Sequence, residues 1–134
     1  MRPSLKKLSG TAAGNANLDL TNDTNWPLQV CWGQIVLTTD ATVASRRIVL
    51  QAIDEAGDIA LQISANVTVA ASATNQRHSV MPDLPRESAF INNDILVPIP
   101  DSFMLPAGYK LRISVSDGVD GDAVAANFIC RENV

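Results

Sequence analysis

Apolar and polar residues alternate along much of this chain with a period of two, which is typical of β-strands. The clearest segment is residues 109–116, Tyr-Lys-Leu-Arg-Ile-Ser-Val-Ser, in which every second side chain is apolar. A Leu-Pro-Ala-Gly sequence comes directly before it and is typical of a turn. No segment keeps the 3.6-residue period of an amphipathic helix over three turns. The pattern therefore predicts an all-β protein.

About seven strands are expected between residues 28 and 131. They cover residues 28–39, 46–55, 59–69, 75–81, 94–99, 109–116 and 123–131. In the first of them the apolar positions change parity at Gly33, which predicts a β-bulge. Short strands separated by turn-rich loops predict a single antiparallel β-sandwich of jelly-roll-like topology, which occupies residues 26–134.

The first 25 residues lack any sustained period and are rich in Gly, Asn, Ser, Thr and Ala. This composition predicts a flexible, extended N-terminal arm outside the sandwich. Ordering such an arm removes backbone entropy, which burial of apolar side chains against a neighbouring subunit would offset. The interface candidates in the arm are its four leucines, Leu5, Leu8, Leu18 and Leu20.

The predicted strand at residues 59–69 places its larger apolar side chains on one face. The other face is uncharged, although solvated sheet faces usually carry Lys or Glu. Its residues are Ala60, Gln62, Ser64, Asn66 and Thr68. We expect this face to contact another subunit or a second sheet.

The composition is that of one globular domain with its own core. The chain has 134 residues, of which 46% are hydrophobic but only six are aromatic, so the core must be largely aliphatic. Residues 1–18 contain three basic residues and no acidic one, whereas the remainder contains fourteen acidic and seven basic residues. This acidic body argues against nucleic acid as a partner. No apolar run is long enough for a membrane span, so no membrane partner is expected.

Two cysteines, Cys31 and Cys130, lie in the first and last predicted strands, which a sandwich can bring together. The basic N-terminus is not followed by an apolar segment, so we expect no secretory signal peptide and no oxidising compartment. A disulfide is geometrically possible, but two reduced, buried thiols are the favoured interpretation.

Residues suited to catalysis or metal binding are sparse. His78 is the only histidine, so it cannot form the histidine cluster of a cupin-type metal centre. No Gly-x-Ser-x-Gly sequence accompanies it, and we expect His78 at the surface or hydrogen-bonded within a strand. Asp117, Asp120 and Asp122 form a weak Ca²⁺ candidate, although Asp and Gly also favour turns in general. The sequence therefore predicts no enzyme and no cofactor.

Aromatic and paired basic residues complete the candidate chemistry. Trp26, Trp32 and Tyr109 could stack on a sugar, but the parity of Trp32 and Tyr109 favours the core, which leaves Trp26 as the exposed ring. Arg46 and Arg47 are expected to form a solvated pair at the start of a strand.

One resemblance adds to these inferences. The pattern is carried by Trp32, residues 35–39, residues 46–54, Gly57, residues 70–74 and residues 105–113. It resembles small all-β virion proteins of tailed bacteriophages, of the head-decoration or cement kind, over about residues 28–131.

The resemblance implies a non-enzymatic protein of the virion, assembled in the host cytoplasm, that binds the outer capsid surface and stabilises it. It also implies a homotrimer that contacts the major capsid protein or another virion protein. The alternative is a carbohydrate- or receptor-binding sandwich of a phage tail or appendage. Exposed aromatic residues grouped together would favour that alternative, whereas a subunit contact on the uncharged strand face would favour the structural role.

Overall fold

The computed structural model describes residues 4–82, 90–91 and 93–132, which form eleven β-strands. This part of the chain contains no helix that could cross a membrane. The strands are β1 (Leu5–Ala13), β2 (Leu18–Thr21), β3 (Leu28–Thr38), β4 (Arg47–Ile53), β5 (Ile59–Ser64), β6 (Gln76–Pro82), β7 (Phe90–Ile91), β8 (Asp94–Ile99), β9 (Met104–Leu105), β10 (Lys110–Ser116) and β11 (Ala123–Glu132).

The strands form two sheets that pack face to face. The larger sheet has the order β1-β11-β3-β6-β8-β7, with β9 paired to β3, and the smaller sheet has the order β2-β10-β4-β5. If β7, β8 and β9 are set aside, eight strands remain, and they can be counted from one to eight along the chain. One sheet then has the order 1-8-3-6 and the other has the order 2-7-4-5. This is the arrangement of a jelly roll, so the predicted all-β sandwich and its topology are confirmed.

One pairing departs from the antiparallel sandwich that the sequence predicted. β8 runs parallel to β6. β7 precedes β8 in the chain but lies on its outer side and pairs with it in an antiparallel hairpin, so β8 returns next to β6 in the same direction as β6. The short hairpin of β7 and β8 therefore widens the larger sheet beyond the four strands of a simple jelly roll.

Period-two alternation places the aliphatic core between the sheets. The β-bulge expected in β3 is present, but it lies at Cys31 and not at Gly33. The register between β11 and β3 shifts between Ile129 and Cys130, where β3 contributes one extra residue. Beyond this bulge Gly33 faces the core directly against the ring of Phe128, where any side chain would collide with that ring. Glycine is required at this position by the close approach of Phe128.

From residue 4 onwards the N-terminal segment is part of the sandwich, which contradicts the flexible arm predicted for residues 1–25; residues 1–3 lie outside the described ranges. β1 pairs with β11 from Leu5 to Ala13, and β2 pairs with β10. Gly10 does not interrupt β1. A side chain there would lie only 2.9 Å from Leu18 of the opposite sheet, so glycine allows the two sheets to approach each other. The segment supplies the first two strands of the jelly roll.

β2 is also fixed to β10 by an ion pair. The guanidinium of Arg112 donates from Nε at 2.7 Å and from Nη2 at 3.1 Å to the two carboxylate oxygens of Asp19. The hydrogen bond from Arg112 holds the pKa of Asp19 below its ordinary value. This contact anchors the short strand β2 at the edge of its sheet.

Two leucines of β1 test whether this strand belongs to the core. Leu8 is 6% exposed and Leu5 is 72% exposed. We expect Leu8→Ala to lower the free energy of unfolding by about 2–5 kcal/mol, and Leu5→Ala to change it by less than about 0.5 kcal/mol. Urea unfolding at neutral pH measures both values. Equal, small effects would show that β1 lies outside the cooperative core.

Candidate functional site

β5 forms an unprotected edge of the smaller sheet. It pairs with β4 on one side, and no strand in the described part of the chain pairs with its other side. Natural edge strands are usually protected by charges or proline, but the six residues of β5 include neither. Its apolar side chains Leu61 and Ile63 are only half-buried. β5 is therefore the strand best suited to pair with another chain.

The uncharged face predicted from the sequence lies on and beyond β5. Ala60, Gln62 and Ser64 are on the outer face of β5, and Asn66 and Thr68 follow it; all five are exposed. The strand ends at Ser64, and the chain then returns to the sheet through the bridge between Arg46 and Val69.

No element in the described ranges covers this outer face. Within residues 4–82, 90–91 and 93–132, a second sheet of the same chain does not cover it. Contact of this face with another subunit stays a prediction.

A groove of about 550 Å³ runs along the free edge of β5. One wall contains Leu61 and Ile63 of β5, and the other contains Pro98, Ile99 and Pro100 at the end of β8. The two prolines have no N–H group, so this wall offers no hydrogen-bond donor at those positions. An extended segment in the groove would pair with the backbone of β5 and pack against the proline wall.

Three of the four leucines predicted as interface residues lie in the core of their own chain. Leu8, Leu18 and Leu20 are buried between β1, β2 and the rest of the sandwich. They cannot bind a neighbour without unfolding, so that part of the prediction is wrong. Leu5 alone of the four is exposed.

Asp117, Asp120 and Asp122 do not converge on a metal site. Asp117 and Asp120 are exposed, whereas Asp122 is buried and accepts hydrogen bonds from Arg46 Nε at 2.9 Å and Nη2 at 3.1 Å. The structure thus contradicts the weak Ca²⁺ candidate, because the oxygens of Asp122 are occupied by Arg46. Among the residues that the structure describes, no group of three His, Cys, Asp or Glu side chains is placed to hold a metal ion.

Arg46 is fully buried, which corrects the expected solvated pair. Besides Asp122, it donates from Nη2 to Asp40 Oδ1 at 3.0 Å and from Nη1 to the carbonyl of Ala44 at 3.0 Å. Sequence reasoning missed this network because its acidic partners belong to two separate loops. The only local signal was Asp40, six residues before Arg46.

The pKa of Asp122 reflects opposing effects. Burial of the carboxyl acts to raise its pKa, but hydrogen bonds from Arg46 and from the backbone N–H groups of Asp40 and Val119 outweigh burial. The pKa of Asp122 therefore lies below its ordinary value. Since the folded state binds this proton more weakly than the unfolded chain, the contribution of Asp122 to stability is lost as pH falls through its folded pKa.

His78 is buried between the sheets, not at the surface. Its Nδ1–H donates to the carbonyl of Ile35 at 3.3 Å, and Nε2 has no hydrogen-bond partner among the described residues. Burial lowers the pKa of His78 to about 4, although the backbone hydrogen bonds act in the opposite direction. A neutral imidazole enclosed in this way cannot reach a substrate.

The cysteines are free thiols in neighbouring strands of the larger sheet. Cys130 is fully buried in the core, whereas Cys31 is half-buried at the bulge of β3. Burial, together with the nearby thiol of Cys31, raises the pKa of Cys130 to about 12. Both thiols are unpaired as expected, but only Cys130 is fully buried.

Trp32 is exposed, which contradicts its predicted place in the core. The bulge in β3 turns the indole to the outer face of the larger sheet, where it is 51% exposed. Trp26 is 47% exposed, as expected, and Tyr109 packs half-buried against the core. Parity along the sequence could not locate the bulge to the residue and therefore misplaced Trp32.

Side chains of three adjacent strands surround Trp32. Ile129 of β11 pairs directly with Trp32 and with Lys7 of β1, and in the next row Asn127 pairs with Gln34. Together these five residues line a hollow of about 320 Å³.

The ion pair of Arg46 and Asp122 gives a stability prediction. We expect Arg46→Met to lower the free energy of unfolding by about 3–5 kcal/mol, because it leaves a buried carboxylate without its partner. Arg77→Met is the matched control, since Arg77 is exposed and Asp94 keeps its hydrogen bond from Ser79, so the loss of this pair should cost about 1 kcal/mol. Similar losses in the two variants, measured by urea unfolding, would contradict the central role of Arg46.

His78 gives a pH prediction. Its pKa is lower in the folded protein than in the unfolded chain, so stability is complete above about pH 6.5 and declines as pH falls towards 4. The decline reaches at most ~3 kcal/mol. We expect His78→Leu to flatten the unfolding free energy between pH 6.5 and 5, where no other histidine titrates. An unchanged slope in that variant would refute this origin.

No protein-family model matches the sequence, and no curated protein matches it. Among solved structures, a chain of the VP2 subviral particle of infectious bursal disease virus is 15% identical with a TM-score of 0.44, over 98% of this chain and 33% of that one. A chain of the Gt strain of the same virus is 15% identical with a TM-score of 0.43, over 99% and 38%. This chain thus spans well under half the length of those chains, and a TM-score below 0.5 establishes neither family nor function for it.

Proposed function

We propose that this chain is a non-enzymatic structural protein of a virion, which attaches to a neighbouring subunit through the edge and outer face of β5. The observation that carries the proposal is the free edge of β5 beside a groove that is lined by apolar and by uncharged polar side chains. An edge of this kind recruits an additional strand by main-chain hydrogen bonds. The resemblance of residues 28–131 to phage head-decoration proteins supports a virion protein as the neighbour.

The backbone of β5 has hydrogen-bonding groups available at its free edge. Ala65 N–H donates to the carbonyl of Ile48 at 2.9 Å, and the register continues with Leu50 opposite Ile63. Backbone groups of alternate residues point to opposite sides in an antiparallel strand, so those of Gln62 and Ser64 point away from β4. They are the groups that a strand of the neighbouring subunit would meet.

The side chains of β5 allow such contact without a charge penalty. Gln62 is held by Gln51, whose Nε2 donates to its Oε1 at 2.8 Å, so part of the outer face is already ordered. An incoming subunit would bury small or uncharged groups there and would leave no ionised group desolvated. Leu61 and Ile63 would gain the apolar cover that they lack in the single chain.

Under this proposal the chain stabilises a capsid by binding its outer surface, where it contacts the major capsid protein or a further copy of itself. It would act in the virion, after assembly in the host cytoplasm. The homotrimer implied by the resemblance is part of the same proposal, and the molar mass of the purified chain tests it.

A photoreactive side chain at Ser64 tests the contact. We expect irradiation to link position 64 to another subunit, whereas the same group at Val43, an exposed loop residue, links to none. Ser64→Lys should weaken association by about ten- to a hundredfold, because a charge becomes desolvated, while stability stays within about 0.5 kcal/mol. Cross-linking that is equal at both positions would contradict the β5 contact.

The place in the virion needs a separate test. An antibody against the purified chain should label intact virus particles from the source of the sequence, as seen by electron microscopy. If the antibody labels neither intact nor disrupted particles, the virion role is refuted, whatever the result at Ser64.

A further inference from the structure

The hollow around Trp32 has the composition of a ligand site. The indole is half exposed in the middle of a sheet face, between β11 on one side and β6 on the other. Below it, Phe128 packs against Gly33 and supports the strand from within the core. Trp32 is thus a large aromatic surface on a rigid element and is open to solvent.

Three polar side chains beside this indole are not used within the chain. In the described ranges Lys7, Gln34 and Asn127 make no side-chain hydrogen bond and no ion pair, although all three line the hollow. Other side chains on the same face are engaged; for example, Arg131 donates to Gln29 at 2.9 Å. The hollow therefore combines an apolar ring with amide and ammonium groups that are free to bind a ligand.

We propose that this hollow binds one pyranose unit of a saccharide. The C–H face of a pyranose is apolar and stacks on an indole, while its edge carries hydroxyl groups that both donate and accept hydrogen bonds. The amides of Gln34 and Asn127 offer both functions, and Lys7 offers donors to a hydroxyl or to a sugar carboxylate. A volume of about 320 Å³ lies at the lower end of the range of ligand pockets, which suits a single sugar unit.

Two other ligands fit this chemistry less well. A nucleic acid would need several cations for its phosphates, but Lys7 is the only charged residue of the hollow and the whole chain has a formal charge of −4. A protein hot spot would use the indole but would leave three polar side chains desolvated around it. A saccharide satisfies them and leaves the outer rim wet.

This site is separate from the β5 edge, so it does not depend on the proposed attachment through β5. β5 belongs to the smaller sheet, whereas Trp32 is on the outer face of the larger one. A virion protein could use both, one towards the particle and the other towards a glycan.

The test is a glycan array followed by titration of the array's best neutral and uronate-containing oligosaccharides. Trp26→Phe leaves Trp32 as the only tryptophan, so saturable quenching of its fluorescence should report binding. We expect Trp32→Ala to abolish binding, and Asn127→Ala or Gln34→Ala to weaken it about tenfold each. Lys7→Met should weaken uronate binding more than neutral binding.

Trp26→Ala is the matched control, because Trp26 is about as exposed as Trp32 but lies outside the hollow. It should leave the affinity unchanged, and all variants should keep the thermal midpoint of the parent protein. Absence of binding to every pyranose on the array would overturn the proposal, as would binding that survives Trp32→Ala. Loss of self-association in Trp32→Ala without any sugar binding would assign the indole to a subunit interface and would also overturn it.

Discussion

The buried charge of Arg46 is the constraint that joins the two sheets at one end of the sandwich. A guanidinium without a counter-charge is too costly inside a protein. Arg46 directly precedes β4 of the smaller sheet and Asp122 directly precedes β11 of the larger one, so their ion pair fixes one sheet relative to the other. The same carboxylate accepts the N–H groups of Asp40 and Val119, which orders both connecting loops. Polar contacts therefore organise this end, whereas aliphatic packing holds the rest.

Alternation along the sequence was sufficient to predict the sandwich but not where it begins. A period of two is detectable only over several residues, and β2 has four. Gly10 suggested a break in β1, because its contact with Leu18 across the sandwich is invisible in a sequence. A jelly roll needs eight strands, and β8 is not one of the eight. Six of the seven predicted strands belong to those eight, so the two unpredicted strands had to come from the N-terminal segment, where the structure has β1 and β2.

The candidate sites differ in how far the sequence could predict them. The uncharged face of β5 is a local property, so it could be found from the residues alone. Asp122, one partner of Arg46, is 76 residues away from it in the sequence, and only the topology brings the two together. The exposure of Trp32 depends on a bulge of one residue, which parity indicates but does not locate. Local chemistry is thus predictable, whereas contacts between distant segments and the exact position of irregularities are not.

The location of β11 has a consequence for synthesis on the ribosome. β11 lies between β1 and β3 and pairs with both, and the pair of Leu5 and Arg131 joins distant parts of the chain. Such contacts form slowly, because a long loop must close first. Until residues 123–132 have left the exit tunnel, β1 lacks its neighbour in the sheet and β3 has one open edge. Until then the nascent chain exposes aliphatic surfaces of β1 and β3, which makes it a suitable client for chaperones that bind nascent polypeptides.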